Sequence, residues 1–249
     1  MNEELYLEGM AAVKGALLGP GRTVHEILAD RKRDDRGTAW LLRTARTKGV
    51  PVRMMVREEL DKIAEGASHG GILAVVGERH YLPLERLMPQ DDIPFIVMLD
   101  GVEDPYNYGF ALRTLWAAGV HGLVVRRRNW STAAAVVARS SAGASELFPT
   151  AVVDSPDEAA DFFRDQGCAI AVTAKEKESL SLYEADLARP LFLLIGGERR
   201  GVKRSFLDRA DLLLNIPYGR DYRQSLGTAS AAGVVAFEAM RQRQAGSRK

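Results

Sequence analysis

From residue 95 onward the chain repeats one local pattern. A short uninterrupted apolar run leads into a polar turn marked by Gly or Pro, and a stretch of helical length follows. The runs Phe95 to Leu99, Leu191 to Ile195 and Leu212 to Ile216 show little of the polar alternation of a strand with one wet face. Strands of this kind are buried on both faces, and interleaved with helices they imply a parallel sheet covered on both sides. Ligands of open parallel sheets bind in the loops at the carboxyl ends of the strands. Three segments deliver such loops: Leu99-Asp-Gly-Val-Glu-Asp-Pro-Tyr-Asn-Tyr-Gly-Phe-Ala-Leu-Arg113, Leu194-Ile-Gly-Gly-Glu-Arg-Arg-Gly201, and Asn215-Ile-Pro-Tyr218 running on to Ser225-Leu-Gly-Thr-Ala-Ser-Ala-Ala-Gly233.

The same reading predicts further strands at Gly122 to Arg126, Ala151 to Val153 and Ala169 to Thr173. It predicts helices at Tyr108 to Ala118, Thr132 to Ser140, Pro156 to Gln166 and Leu226 to Arg243. Ser155-Pro-Asp-Glu158 has the spacing of a capping box with Pro at the first helical position. Residues 1–80 form a smaller α/β domain, with helices at Ala11 to Leu18, Trp40 to Lys48 and Glu58 to Glu65. Its strands fall at Thr23 to Leu28, Val50 to Val56 and Ile72 to Val76. Residues 81–94 contain Pro83, Pro89 and Pro94 and read as a linker, which leaves 95–249 as the second domain.

Composition narrows the function class. With 46% hydrophobic and 27% charged residues, the chain fills a sizeable core under an ordinary soluble surface. No apolar stretch approaches the ~18 residues of a membrane span, and Met1-Asn-Glu-Glu-Leu5 lacks the pattern of a signal peptide, so a cytoplasmic protein is expected. Cys168 is alone and opens an apolar run, which predicts a buried thiol. His25, His69, His80 and His121 show no ligand spacing, and no metal site is expected. The net charge of +1 makes no global case for nucleic acid, but Arg126-Arg-Arg128 and Arg199, Arg200, Lys203 and Arg204 are basic clusters beside the proposed site.

Each segment has a plain structural reading beside the functional one. Gly196-Gly-Glu-Arg-Arg-Gly201 is a tight turn, or a bare backbone that lets a flat ligand approach. Asn107 is a helix cap or a ligand-facing amide. Arg113 is a surface residue, or a guanidinium that binds a ribose oxygen or phosphate. Ser225 is an N-cap or a hydroxyl offered to a ligand, and the small residues after it pack a helix closely.

Taken in order, these segments resemble motifs 1, 2 and 3 of the SPOUT superfamily, in its SpoU/TrmH-like branch of RNA ribose 2′-O-methyltransferases. The resemblance rests on Asp104-Pro-x-Asn-x-Gly109 with Arg113, on Gly196-x-Glu198 with Gly201, and on Ile216-Pro217 with Ser225-Leu226. The N-terminal part resembles the small substrate-binding domain related to ribosomal protein L30e, through Ser68-His-Gly-Gly-Ile-Leu-Ala74. The resemblance implies an α/β parallel-sheet C-terminal domain with a deep trefoil knot, preceded by a small L30e-like α/β domain. It implies a homodimer that transfers a methyl from S-adenosylmethionine to RNA, to ribosomal RNA in preference to transfer RNA. Asn107, Arg113, Glu198 and Ser225 then carry catalysis. Gly196, Ile216 and Leu226, with Thr173, Gly197 and Pro217 beside them, bind the cofactor. Gly227 stands where the family pattern has Asn. That departure keeps open a knot-fold RNA-binding protein with weak or no methyl transfer.

Overall fold

The apolar runs become strands and the periodic stretches become helices, in a computed structural model that describes residues 5–66, 69–127, 133–197 and 201–246. In chain order the first elements are β1 (Leu5–Glu8), α1 (Met10–Leu18), β2 (Arg22–Asp30), α2 (Arg36–Thr47), β3 (Val52–Met55), α3 (Arg57–Ile63) and β4 (Ile72–Arg79). A 3-10 turn at Leu84–Leu87 precedes β5 (Phe95–Asp100), α4 (Pro105–Ala117), β6 (Gly122–Arg126), α5 (Ala134–Ser140), α6 (Ala144–Leu147) and β7 (Thr150–Val153). Then come α7 (Pro156–Asp165), β8 (Ala169–Thr173), β9 (Leu180–Ser181), β10 (Leu191–Gly196), α8 (Arg204–Leu207), β11 (Leu212–Asn215) and α9 (Thr228–Gly246).

One unit combines residues 1–80 with residues 129–148. Its sheet has the order β1-β4-β2-β3, with β2 and β3 parallel and the other pairs antiparallel. Because side chains alternate across a strand, Ile27 and Ile72 enter one apolar cluster with Leu7, Val13 and Leu41, while Leu28 and Leu73 meet Leu60 in the other. The sheet is therefore covered on both faces. β1 was not expected from the sequence. Four residues, too few to set up an alternation, form a strand here because Leu5 through Glu8 pair with Val76 through Leu73.

Residues 133–148 pack in this unit through buried charge. Glu146, only 1% exposed, accepts from Arg22 Nε at 3.1 Å and from Ser145 Oγ at 3.0 Å, and Arg79 completes its shell. Glu8 is buried too and accepts from Arg139 Nη1 at 2.6 Å and from the Glu65 amide at 2.6 Å. Buried carboxylates hold only when such partners replace water. The compact division is thus not linear along the chain, since residues between β6 and β7 leave the second unit for the first.

The second unit comprises residues 81–128 and 149–249. Its seven strands are ordered β7-β6-β5-β10-β8-β11-β9 and every adjacent pair is parallel. β10 arrives late in the chain yet lies between β5 and β8, with Leu191 in register with both Phe95 and Ala169. Phe192 stacks on Phe163 of α7 at 5.0 Å, in a core that includes Ile96, Met98, Ile170 and Val172. Leu87 is buried in the same cluster, so the proline-marked stretch 81–94 packs with this unit instead of hanging free between domains.

At the amino ends of β5 and β10, Arg243 of α9 holds the sheet edge. Its guanidinium donates to the carbonyls of Ile93 at 2.6 Å, Pro94 at 3.0 Å and Arg189 at 2.8 Å, and stacks on Phe95. Cys168 is buried in this core, as its apolar context predicted, and burial raises its thiol pKa, an effect Arg243 partly offsets.

Three expectations follow from burial and exposure. Glu146→Ala removes the buried carboxylate that Arg22 and Arg79 both face and should cost about 3–5 kcal/mol in the denaturant-induced unfolding of the first unit. Arg189→Ala removes only an exposed pair with Asp186 and should cost under ~1 kcal/mol. Native Cys168 should resist a maleimide at pH 8 and react fully once the chain is unfolded, as mass spectrometry of the labelled protein would show.

Candidate functional site

The carboxyl ends of β5, β10, β8 and β11 lie side by side, because those strands are neighbours in the sheet. This brings Gly196, Gly197, Thr173 and Ile216 to one edge. Gly196 is in register with Asp100 of β5, and Thr173 of β8 is in register with Leu214 of β11, two residues before Ile216. Gly196 and Ile216 are half-buried and Pro217 is exposed. The loops after β5 and β10 touch backbone to backbone. The Gly197 amide donates to the Asp100 carbonyl at 2.6 Å, and Gly101 turns away from it with φ +78°. A Cβ on Gly197 would overlap the Gly101 carbonyl. Glycine is required there by space, and at Gly101 by the left-handed backbone.

The turn between β5 and α4 is shorter than the sequence predicted. α4 begins at Pro105, and the cap is Asp104, whose Oδ1 accepts from the Asn107 amide at 2.7 Å. Asn107 is therefore not the cap; it lies within the first turn, half-buried. Arg113 is exposed and makes no ion pair or hydrogen bond among the described residues. At ~100° per residue the two positions stand about 120° apart around the helix. One α4 does not present both side chains in the same direction. Arg113 instead shares a face with Tyr106 and Phe110, which are 54% and 48% exposed.

The third segment also departs from expectation. α9 starts at Thr228, so Ser225 is not its N-cap and lies exposed in the preceding loop. Gly227 stands directly before the helix, where its missing side chain offers no cap. Leu226 is half-buried and its amide donates to the Tyr218 hydroxyl at 3.0 Å. Lys175 Nζ lies 5.2 Å over the Tyr218 ring, and Tyr218 and Tyr222 face one another at 6.2 Å. Neither Tyr218 nor Lys175 was singled out from the sequence. The position of Tyr218 directly after Ile216-Pro217 is the only signal it carries, and Lys175 carries none.

Farther along the helix, the small residues do the packing expected of them: Ala232 is buried and Gly233 faces Thr114 of α4. Glu198, Arg199, Arg200 and Arg128 lie outside the described residues. Of the other basic residues, Arg126 pairs with Asp100 at 3.4 Å and Arg204 with Glu176 at 3.2 Å. His69 is buried as a turn residue: its Nε2 meets Asp61 at 2.7 Å and its Nδ1 accepts from the Gly71 amide. The hydrogen bond from His69, with a smaller contribution from Arg57, holds the Asp61 carboxyl below its ordinary pKa. Among the described residues no cluster of His, Cys, Asp and Glu could hold a metal ion.

The family model described as the SpoU rRNA Methylase family matches residues 94–237, and that described as RNA 2'-O ribose methyltransferase substrate binding matches residues 6–82. The chain belongs to the SpoU rRNA methylase family. Among its relatives is the 23S rRNA (guanosine-2'-O-)-methyltransferase RlmB of Shewanella oneidensis, 34% identical over 98% of this chain and 99% of the relative. The Escherichia coli protein of that name is 32% identical over 98% of this chain and all of the relative. The SpoU methyltransferase AviRb from Streptomyces viridochromogenes, solved in complex with AdoMet, superposes with a TM-score of 0.78 at 26% identity, covering 98% of this chain and 92% of the other. The two family matches correspond to the small N-terminal sheet and the large parallel sheet, so this SpoU chain carries both modules.

The close approach at Gly197 can be tested by stability alone. Gly197→Ala should cost about 1–3 kcal/mol in urea unfolding, as an overpacked site does. Gly219→Ala adds its methyl to open space and should leave the midpoint unchanged.

Proposed function

We propose that this chain is an S-adenosylmethionine-dependent methyltransferase that modifies a guanosine ribose 2′-hydroxyl of 23S rRNA. The observation that carries the reading is similarity over both units, end to end, to relatives named for that reaction. On this reading the protein works in the cytoplasm, with the ribosomal RNA it modifies.

The residues at the sheet edge fit the cofactor. Gly196 and Gly197 leave a strip of backbone without side chains, and a Cβ at Gly196 would press on Val202 and Gly201, so the loop closes over that strip. Ile216 and Leu226 supply half-buried apolar walls, with Thr173 and Pro217 alongside. Apolar walls of this kind suit an adenine ring, while the Gly197 amide and carbonyl are bonded to the Asp100 carbonyl and the Gly201 amide and hold the loop in place. When bound, S-adenosylmethionine supplies a methyl group already activated on a sulfonium, so the protein's task is positioning.

Arg113 is the group we assign to the ribose. A guanidinium keeps its proton, so Arg113 orients the substrate and stabilises the 2′-oxygen as negative charge develops on it. Asn107, Ser225 and Glu198 complete the catalytic set by their match to the family pattern. Arg113 and Asn107 diverge around α4, and the Arg113 face carries exposed Tyr106 and Phe110, with Phe237 exposed on the adjoining α9. These features support a homodimer in which Arg113 of one protomer serves the cofactor site of its partner. We read the late insertion of β10 between β5 and β8 as part of a trefoil knot.

Tritiated methyl transfer onto unmodified 23S rRNA tests the reading. Label should be recovered as 2′-O-methylguanosine after nuclease digestion. Label on a base, label only on transfer RNA, or RNA binding without transfer would each overturn it, the last favouring the RNA-binding alternative that Gly227 leaves open. Arg113→Ala should lower turnover by about 100-fold or more. Its affinity for S-adenosylmethionine in calorimetry should stay within about threefold of wild type, and equal loss of both would assign Arg113 to cofactor binding instead.

A further inference from the structure

The helix α2 of the first unit reads Arg36-Gly-Thr-Ala-Trp-Leu-Leu-Arg-Thr-Ala-Arg-Thr47, with three arginines and no acidic residue. Its inward face is committed to the core: Leu41 and Ala45 are fully buried, and Thr38 is bound by the N-cap Asp35. Arg36, Arg43 and Arg46 are exposed. With ~100° and ~1.5 Å per residue, they fall within an arc of about 80° and spread over about 15 Å along the helix.

The rest of the unit handles its arginines differently. Arg22 and Arg79 pair with Glu146, Arg139 with Glu8, Arg33 with Asp35, Arg53 with Glu26 and Arg57 with Asp61. Arg36, Arg43 and Arg46 make no ion pair among the described residues, and neither does Arg31 in the loop that leads into α2. Like charges three residues apart, as at Arg43 and Arg46, weaken a helix when nothing offsets them. Only Arg46, in the last turn, is favoured by the helix dipole; Arg36 in the first turn is opposed by it. Beside it Trp40 is half-buried, with Lys14 Nζ 4.9 Å from the ring centroid, which adds a further cation and an aromatic edge.

We propose that the exposed face of α2 docks the phosphate backbone of structured RNA, with Arg36, Arg43 and Arg46 as its phosphate contacts. The inference rests on the reading of the chain as an RNA methyltransferase and adds the surface on which the first unit grips its substrate. A guanidinium forks onto two phosphate oxygens. A single-sign stripe on a helix with no acidic residue of its own is the electrostatic footprint of such binding. Contacts of this kind position the RNA and carry no base preference.

The test uses the full chain and an unmodified transcript of a 23S rRNA fragment, with affinity measured by filter binding across a salt series. The variant Arg36→Ala/Arg43→Ala/Arg46→Ala should bind at least tenfold more weakly at low salt. Its plot of log affinity against log salt should be shallower by about 2–3, from roughly 0.7–0.9 per lost phosphate contact. Its thermal midpoint and its calorimetric affinity for S-adenosylmethionine should match wild type. The companion Arg36→Lys/Arg43→Lys/Arg46→Lys should recover most of the affinity. Wild-type affinity and slope in the alanine variant would overturn this surface while leaving the methyltransferase reading intact. Weaker binding with an unchanged slope, or without recovery by lysine, would overturn it as well. Absence of RNA binding by wild type would overturn both.

Discussion

The backbone of Gly197 lies directly against that of Gly101, and the second unit depends on that approach. The amide of Gly197 reaches the Asp100 carbonyl because no side chain stands between the two turns. That contact seats the end of β10 against the end of β5, and with β10 in place β8 becomes its other neighbour. The loops of the first and second motifs then share one edge with Thr173 and Ile216. A residue with a Cβ at position 197 would separate the strands where the candidate cofactor edge is built.

The two units use charge in opposite ways. In the first, buried Glu146 and Glu8 draw arginines from β2, β4 and α5 into closed networks, which fasten residues 133–148 to the small sheet. Networks of that kind specify one arrangement, because a lone buried charge is costly. On α2 the arginines remain open to solvent and to any polyanion that meets them. In the second unit Arg243 is spent on carbonyls at the amino edge, far along the strands from the site, and burial lowers its pKa. Arg113 stays exposed on α4, on a helix face shared with aromatic residues.

Much of the large sheet was legible in the residues. β6 and β8 fall where their apolar runs predicted, because a strand buried on both faces leaves a continuous hydrophobic signal. The capping of α7 by Ser155, which accepts from the Glu158 amide, follows from local spacing. The errors have a common cause. α4 begins at Pro105 because Asp104, not Asn107, caps it, and α9 begins after Ser225 because the loop from Pro217 closes on Tyr218. β1, α6 and α8 are four residues each, too short to set up a period, and exist only because of what they pack or pair against.

By itself the sequence determined that two α/β units exist, that the larger has a parallel sheet, and that glycine- or proline-marked turns follow three of its strands. Local hydrophobic period and turn chemistry are enough for that, since each is written within about ten neighbouring residues. Tertiary structure alone decided that β10 lies between β5 and β8 and that residues 129–148 join the first unit. It also decided which arginines are neutralised by carboxylates and which on α2 are not. Those outcomes depend on partners distant in sequence, such as Arg22 and Glu146, whose meeting no local pattern encodes.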